Sequence, residues 1–156
     1  MLPVRQRLPH DIPPWVDPTQ EIYFLTLNCQ PRGHNTLAQE DVARRLFESV
    51  ASVERVSAWY CYLLMLMPDH VHGLFRFGRS PRPMRSVVSD WKRWTARHLG
   101  IRWQRDFFEH RLRQDESLRD KAAYILENPV RAGLVARTEE WPFVHFGSQY
   151  ASILDR

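Results

Sequence analysis

Two strand-like runs near the centre of the chain are separated by only two residues, and this feature constrains the fold most. Residues 57–67 are mainly apolar and aromatic, and residues 70–77 form a second run of strand length. Pro68 and Asp69 lie between the runs, and both are residue types that favour turns. Two such runs joined by a tight turn predict an antiparallel β-hairpin in the middle of the fold.

Further strand-like and helical segments flank this hairpin. Residues 21–29 are rich in β-branched and aromatic side chains, which predicts a first strand. Capping-box spacing at residues 36–39, followed by an apolar stripe, predicts a helix between that strand and the hairpin. Comparable patterns predict a second helix over residues 84–99, a fourth strand over residues 102–112, and a third helix over residues 116–127 that ends at Asn128-Pro129.

The order of these segments is strand, helix, strand, strand, helix, strand, helix, and it indicates the fold class. The first six match the split βαβ arrangement of a ferredoxin-like α+β fold, which has an antiparallel sheet with helices on one face. The third helix is an extra C-terminal element that has to pack against this body. On the second helix we expect Trp91 and Trp94 to face the core, and Arg85, Lys92, Arg93 and Arg97 to lie on the outer side.

The chain divides into an arm, one domain and a tail. Residues 1–20 contain five prolines and predict an irregular N-terminal arm, residues 21–147 form a single domain, and residues 148–156 are a tail. The sequence has no apolar run of membrane-spanning length and no signal-peptide core. Cys29 and Cys61 are too few and too far apart for a disulfide framework or a structural zinc. We therefore expect a cytoplasmic protein with no membrane partner.

The charge of the chain is compatible with a nucleic-acid partner. Lys and Arg number 22 against 18 Asp and Glu, which gives a net charge of +4. Nearly all the cations are arginine, which contacts phosphate through two hydrogen bonds and stacks on flat rings. Six Trp, five Tyr and eight Phe add stacking surface. A genomic preference for arginine over lysine would give the same composition, so both readings stay open here.

His70 and His72 are the first candidate site residues. Residues i and i+2 of a strand point to the same face and lie about 7 Å apart along the backbone. Imidazole is the commonest metal ligand among side chains, so two parallel rings on a rigid strand predict a site for one divalent cation. The alternative is a pair of ordinary strand histidines. We interpret the preceding Asp69 as a turn residue and not as a ligand.

Tyr124 is the second candidate, because it lies off the apolar stripe of the third helix. That stripe contains Leu118, Ala122, Ile125 and Leu126. Tyr124 and Asn128 are four residues apart and therefore share another face of the helix. A phenol is a poor nucleophile unless its deprotonation is favoured, and a neighbouring divalent cation can orient a phosphate for its attack. The products would be a phosphotyrosine bond and a free sugar hydroxyl. The alternative is a surface tyrosine.

Together these two motifs resemble a known family. The segments MPDHVH at residues 67–72 and YILENPVRAGLV at residues 124–135 are similar to those of the REP-associated tyrosine transposases. These proteins are relatives of the single-strand insertion-sequence transposases in the HUH nuclease superfamily. The resemblance covers roughly residues 21–146. The order and spacing of the predicted elements match as well.

The resemblance implies a metal-dependent endonuclease and strand transferase that acts on single-stranded DNA through a 5′-phosphotyrosine intermediate. It implies that Tyr124 attacks the DNA phosphate and that His70 and His72 bind Mg²⁺ or Mn²⁺. Asn128 would supply a third ligand through its carbonyl oxygen, where insertion-sequence relatives have a glutamine. The expected partner is hairpin-forming repeat DNA, in a nucleoid-associated protein that is a monomer or a homodimer.

Four basic residues are candidates for DNA contacts, and two rival functions remain. Arg79 and Arg82 follow the histidine strand, and Lys121 and Arg131 flank the tyrosine; Lys121 could equally be a solvated lysine. The main rival is a non-catalytic single-stranded nucleic-acid-binding module, since ferredoxin-like sheets also bind RNA through stacked aromatic residues. The second is a domesticated relative that binds hairpins and no longer cuts them.

Overall fold

The computed structural model describes residues 21–78, 82–113 and 116–154. The predicted N-terminal arm and Arg79 lie outside these ranges. The strands are β1 (Ile22–Asn28), β2 (Trp59–Leu66), β3 (His70–Phe77), β4 (Phe108–Arg111) and β5 (Val144–Phe146). The helices are α1 (Glu40–Arg55), α2 (Met84–Leu99), α3 (Leu118–Leu126), α4 (Asn128–Arg131) and α5 (Ala151–Leu154), with a 3₁₀ turn at Thr138–Glu140.

The five strands form one antiparallel sheet in the order β4-β1-β3-β2-β5. The first four have the ferredoxin-like arrangement, so the predicted fold class and element order are confirmed. The predicted hairpin is β2 and β3, closed by a hydrogen bond from the Met67 N–H to the His70 carbonyl. β5 was not predicted, because three residues are too few to give a readable alternation of apolar and polar positions.

Helices cover both faces of the sheet. α1 and α2 pack on one face together with Val71 and Phe75 of β3. α3 and α5 pack on the other face together with Leu74. Leu74 is on this face because neighbouring residues of a strand point to opposite faces. The predicted extra helix α3 therefore lies on the face to which His70 and His72 belong. The segment predicted as a tail includes α5, whose Ile153 is buried in the same core.

The start of α1 differs from its prediction. The predicted capping box at residues 36–39 is wrong, because the helix begins at Glu40 and Gln39 is the residue before it. Asn35 organises this entry instead: its side-chain oxygen accepts a hydrogen bond from the Ala38 N–H, and its amide donates to the Ala38 carbonyl. Asparagine side chains often form such local turns. The spacing of residues in the sequence does not distinguish a turn of this kind from a helix cap.

α3 ends at Leu126, close to the predicted stop at Asn128-Pro129, but the backbone does not leave the helical conformation there. Glu127 interrupts the helix for one residue, and the chain then continues as α4 with Pro129 in its first turn. Proline fits there because the N–H groups of a first helical turn have no partner within the helix. Gly133, with φ of +75°, ends the helix, and the Leu134 N–H donates to the Pro129 carbonyl.

Two residues of α2 lie in other environments than predicted. The buried stripe of α2 continues from Trp91 to Thr95, so Trp94 is turned away from the core and is 45% exposed. Lys92 is partly buried instead of lying on the outer side, and its Nζ donates to the carbonyls of Gln104 and Arg105. No helix among the described residues has the length and apolar character needed to cross a bilayer.

Ile125→Ala is expected to lower the free energy of unfolding by about 2–5 kcal/mol, the usual cost of truncating a buried aliphatic side chain. Ile125 is fully buried between α3 and the sheet. Urea unfolding followed by circular dichroism measures the effect. Arg119→Ala, at an exposed position of the same helix, should change stability by less than about 0.5 kcal/mol. Equal effects of the two substitutions would contradict the packing of α3 described above.

Candidate active site

The imidazoles of His70 and His72 lie next to each other at the start of β3. Their ring centroids are 4.7 Å apart and the ring planes meet at 77°. Both side chains are partly buried. The strand alternation places them on the same face, as predicted, and this is the face that α3 covers. Two rings this close can direct one nitrogen each toward a common point.

One nitrogen of each ring already has a hydrogen-bond partner. His70 Nδ1 donates to Asp69 Oδ1 at 2.8 Å, and His72 Nδ1 lies 3.0 Å from the hydroxyl of Thr26, the residue opposite it on β1. Partners at Nδ1 are the usual way in which a protein fixes the orientation of a metal-binding imidazole. The Nε2 atoms are therefore the nitrogens with which these rings can bind a cation.

The electrostatic surroundings of His72 favour its neutral form. Burial lowers the pKa of His72 to about 3, and the neighbouring His70, Arg131 and Arg32 act in the same direction. A neutral imidazole has the free lone pair that metal binding requires, so His72 needs no deprotonation to bind a cation at neutral pH. Arg131 belongs to α4 and Arg32 to the loop after β1, so arginines from two separate segments act on this ring.

Asp69 has a larger part in the site than the sequence indicated. Its Oδ1 holds His70, while its Oδ2 accepts a hydrogen bond from the Gly33 N–H at 2.8 Å and lies 3.1 Å from Arg32 Nε. Burial acts to raise the pKa of Asp69, but the hydrogen bonds from His70 and Gly33 and the charge of Arg32 together lower it. A carboxylate thus fixes one candidate ligand and ties it to the loop after β1.

Tyr124 lies on the surface of α3, as its position off the apolar stripe predicted. Its side chain is 52% exposed. The guanidinium of Arg131 stacks on the ring at 4.0 Å from its centroid, and the Lys121 ammonium lies 5.5 Å from the same centroid. Arg131 also donates a hydrogen bond to the backbone carbonyl of Tyr124. Two cations therefore border the ring of an exposed phenol.

Phe24 joins the tyrosine helix to the histidine pair. Its ring stacks on His72 with centroids 5.3 Å apart, and Lys121 Nζ lies 5.0 Å from its centroid. Since Lys121 also borders Tyr124, a continuous series of contacts runs from His72 through Phe24 and Lys121 to Tyr124. Phe24 and Thr26 were not among the predicted site residues, although both lie on alternate positions of β1 and therefore share the histidine face.

The other predicted site residues are less closely associated with the histidine pair. Asn128 is the first residue of α4, four positions after Tyr124, and its side chain is partly exposed. Arg82 forms an ion pair with Asp90 of α2. Across the described ranges, no three His, Cys, Asp or Glu side chains come together at metal-binding distances. A third protein ligand within those ranges would therefore be of another type, such as an amide oxygen.

Comparisons with known proteins identify relatives that cover most of the chain. It is 25% identical over 126 residues to a REP-associated tyrosine transposase of Escherichia coli strain K12, across 80% of this chain and 75% of the relative. It is 28% identical over 144 residues to a provisionally named REP-associated tyrosine transposase of Haemophilus influenzae, across 80% and 79%. No protein-family profile matches the chain.

A solved structure shares the fold described above. It is a REP-associated tyrosine transposase bound to a REP hairpin, and it superposes with a TM-score of 0.69 at 24% identity. The match covers 87% of this chain and 80% of that one. The resemblance found in the two sequence motifs is thus confirmed by independent comparisons of sequence and of fold.

Proposed function

The chain is a relative of the REP-associated tyrosine transposases, and from this we propose that it cleaves and rejoins single-stranded DNA through Tyr124. One observation carries the proposal: an exposed phenol, bordered by two cations, is linked through Lys121 and Phe24 to His72 of the oriented histidine pair. A non-catalytic binding module has no need for this combination. Tyr124, the two cations beside it and the histidine pair belong to the same face of the sheet, which supports the proposal.

The proposed reaction is a reversible exchange of phosphate esters. The Tyr124 hydroxyl loses its proton, its oxygen bonds to the DNA phosphorus, and the bond from phosphorus to the 3′ oxygen breaks. The 3′ oxygen takes up a proton and leaves as a free hydroxyl, while the 5′-phosphate stays on the tyrosine. Attack by a 3′ hydroxyl reverses the step and rejoins a strand. The covalent bond conserves the energy of the phosphodiester, so rejoining needs no external energy source.

We further propose that His70 and His72 hold a Mg²⁺ or Mn²⁺ ion through their Nε2 atoms, with the Asn128 amide oxygen as third ligand. The partners of both Nδ1 atoms and the neutral state of His72 support this assignment. When bound, such an ion supplies Lewis-acid polarisation of the phosphate oxygen. The chain's own groups would orient the substrate: Lys121 and Arg131 are placed to contact the phosphate that Tyr124 attacks.

The proposed substrate is a hairpin-forming repeat, because the solved relative is bound to a REP hairpin. Arg79 and Arg82 remain predicted DNA contacts. A cytoplasmic, nucleoid-associated location and a monomeric or dimeric state remain predictions as well. Phosphates are the same at every position of the DNA, so the target sequence would be recognised by groups that contact the bases.

The proposed function is tested by labelling a hairpin oligonucleotide on either side of the cut. The protein is incubated with each DNA and Mn²⁺, and the products are separated on a denaturing gel. We expect a slowly migrating protein–DNA band that carries only the label 3′ of the cut, with the other fragment released. Two released fragments would indicate a hydrolase. Binding without cleavage would favour the non-catalytic module, and a preference for RNA would identify it as an RNA binder.

Asp69→Asn is expected to weaken Mn²⁺ binding about 10–100-fold, the usual effect of altering the partner of a ligand histidine. The amide removes the negative charge that accepts the hydrogen bond from His70, and its NH₂ group opposes the Gly33 N–H and Arg32. Free Mn²⁺ measured by electron paramagnetic resonance gives the affinity without DNA. Asp41→Asn, at a fully solvated carboxylate of α1, is the matched control. Unchanged affinity in the Asp69 variant would contradict this role.

A further inference from the structure

Arg32 is a cation of the histidine region that belongs to neither α3 nor α4. It lies in the loop after β1, and its Nε is 3.1 Å from Asp69 Oδ2. Its Nη1 donates a hydrogen bond to the side-chain oxygen of Asn28, the last residue of β1. Contacts through two different nitrogens fix the plane of the guanidinium, because its atoms form one rigid group. The side chain is therefore oriented before any ligand arrives.

Both partners of Arg32 adjoin His70. Asp69 accepts the hydrogen bond from His70 Nδ1 through its other oxygen. Asn28 lies opposite His70 in the register of β1 against β3, and the alternation of β1 places it on the histidine face. Burial is the main cause of the low pKa of His72, and Arg32 contributes to it, so its charge reaches that ring as well. The guanidinium therefore lies beside the histidine pair.

The guanidinium of Arg32 is accessible, whereas the carboxylate that holds it is mostly covered. The side chain of Arg32 is 49% exposed, against 14% for that of Asp69. Among the described residues, no hydrogen-bond partner is found for its Nη2. A phosphate that approaches from solvent therefore meets the guanidinium and not the carboxylate. Free N–H groups of a guanidinium suit phosphate oxygens, with which arginine forms short charge-assisted hydrogen bonds.

The proposed reaction needs positive charge beside the phosphate as well as beside the phenol. Negative charge is spread over the phosphate oxygens in the transition state, and cations placed against them supply much of the rate. Lys121 and Arg131 border the ring of Tyr124. Arg32 approaches the histidine pair from a separate segment, the loop after β1. An arginine from a segment other than that of the nucleophile is an effective source of such charge.

We propose that Arg32 contacts the phosphate that Tyr124 attacks and stabilises the negative charge on its oxygens in the transition state. The inference rests on the proposed function for the identity of the reaction. Arg32 exchanges no proton and forms no covalent bond in this step, and its Nη2 supplies the hydrogen bond to the phosphate. Its contacts with Asp69 and Asn28 hold it in place before DNA binds. Arg32 is thereby a catalytic residue, distinct from the residues that orient the histidines.

Arg32→Gln is expected to slow cleavage of saturating hairpin DNA by about 100-fold or more, the usual cost of losing one donor to transition-state charge. Its Mn²⁺ affinity should fall by less than about fivefold, because one partly exposed ion pair contributes little. Asp69 keeps its hydrogen bonds with His70 and Gly33. The control Arg44→Gln, at an exposed arginine of α1 that also pairs with a carboxylate, should cleave at the wild-type rate. A fall in Mn²⁺ affinity as large as the fall in cleavage would overturn the proposal.

The contact itself is tested with DNA that carries a methylphosphonate at the cut, where a neutral methyl group replaces one charged oxygen. In one of its two stereoisomers the methyl group takes the place of the oxygen that faces Arg32. With that isomer, the wild type and Arg32→Gln should cleave at rates within about fivefold of each other, since the charge that needed the arginine is gone. A large difference with both isomers would indicate a purely structural role. A difference that disappears only when the next phosphate is neutral would place the contact elsewhere, and either result overturns the proposal.

Failure of this inference can be distinguished from failure of the proposed function, because binding is measured as well as cleavage. In the Tyr124→Phe background, adding Arg32→Gln should weaken binding of the charged DNA more than binding of the neutral isomer. Equal weakening with both DNAs would overturn the proposal. If the wild type forms no adduct with any DNA, the proposed function fails, and the binding comparison still tests Arg32. If the wild type forms the adduct and Arg32→Gln matches its rate with charged DNA, only the role of Arg32 is wrong.

Discussion

Tyr124→Phe is expected to abolish the covalent protein–DNA adduct and to slow DNA cleavage by at least about three orders of magnitude. The substitution removes one oxygen, the atom that is proposed to attack the phosphate, and no neighbouring group can replace a nucleophile. The fold should be unaffected, because the side chain is half exposed and keeps its ring against Arg131. A denaturing gel with labelled hairpin DNA measures the adduct, and circular dichroism checks the fold.

Tyr60→Phe is the matched control, since Tyr60 is also a partly exposed tyrosine with an arginine over its ring. It should form the adduct at the wild-type rate. DNA binding by the Tyr124 variant should persist, because Lys121 and Arg131 are intact. An adduct of undiminished yield in that variant would show that another group carries the DNA, and the catalytic role of Tyr124 would then be wrong.

Replacing both histidines of the pair with alanine is expected to remove saturable Mn²⁺ binding and to reduce cleavage by at least about three orders of magnitude. His70 and His72 provide the only two imidazole ligands proposed for the ion, so the double variant leaves Asn128 alone. The free-metal signal in electron paramagnetic resonance measures binding in the absence of DNA. Cleavage is measured separately, so that a loss of metal can be compared with a loss of activity.

The control for this variant is His98→Ala, which removes an exposed imidazole from α2. It should bind Mn²⁺ and cleave DNA as the wild type does. The single variant His70→Gln keeps a polar side chain at the site. It tests the loss of one imidazole in case the double alanine variant does not fold. Full Mn²⁺ affinity in the folded double variant would contradict the assignment of the histidine pair.

The order of the elements and the core of the site were predictable, because each depends on short-range patterns. Strand β3 begins at His70 as predicted, since a proline turn and alternating side chains define both its start and its faces. Tyr124 was recognised from its position relative to the apolar stripe of a single helix. In each case the pattern and the feature it predicts lie within one segment of the chain.

The remaining features depend on contacts between distant segments. Thr26 and Phe24 reach His72 only through the register of β1 against β3, and Asp69 gains its partners from the loop at Arg32. The exposure of Trp94 depends on how α2 is rotated about its own axis against the sheet. A rotation equivalent to one residue would turn this side chain toward the core. Contacts of this kind are fixed by the three-dimensional packing and leave no local signal in the sequence.

The proximity of residue 124 to the histidine pair is most directly tested by magnetic interaction between Mn²⁺ and a nitroxide label on Tyr124→Cys. Cys29 and Cys61 are buried, so the label should attach to the introduced thiol. We predict strong broadening of the nitroxide spectrum on addition of Mn²⁺, its absence when both histidines are alanine, and little broadening for a label on Arg44→Cys of α1. An unbroadened spectrum at position 124 with Mn²⁺ bound would contradict a shared site.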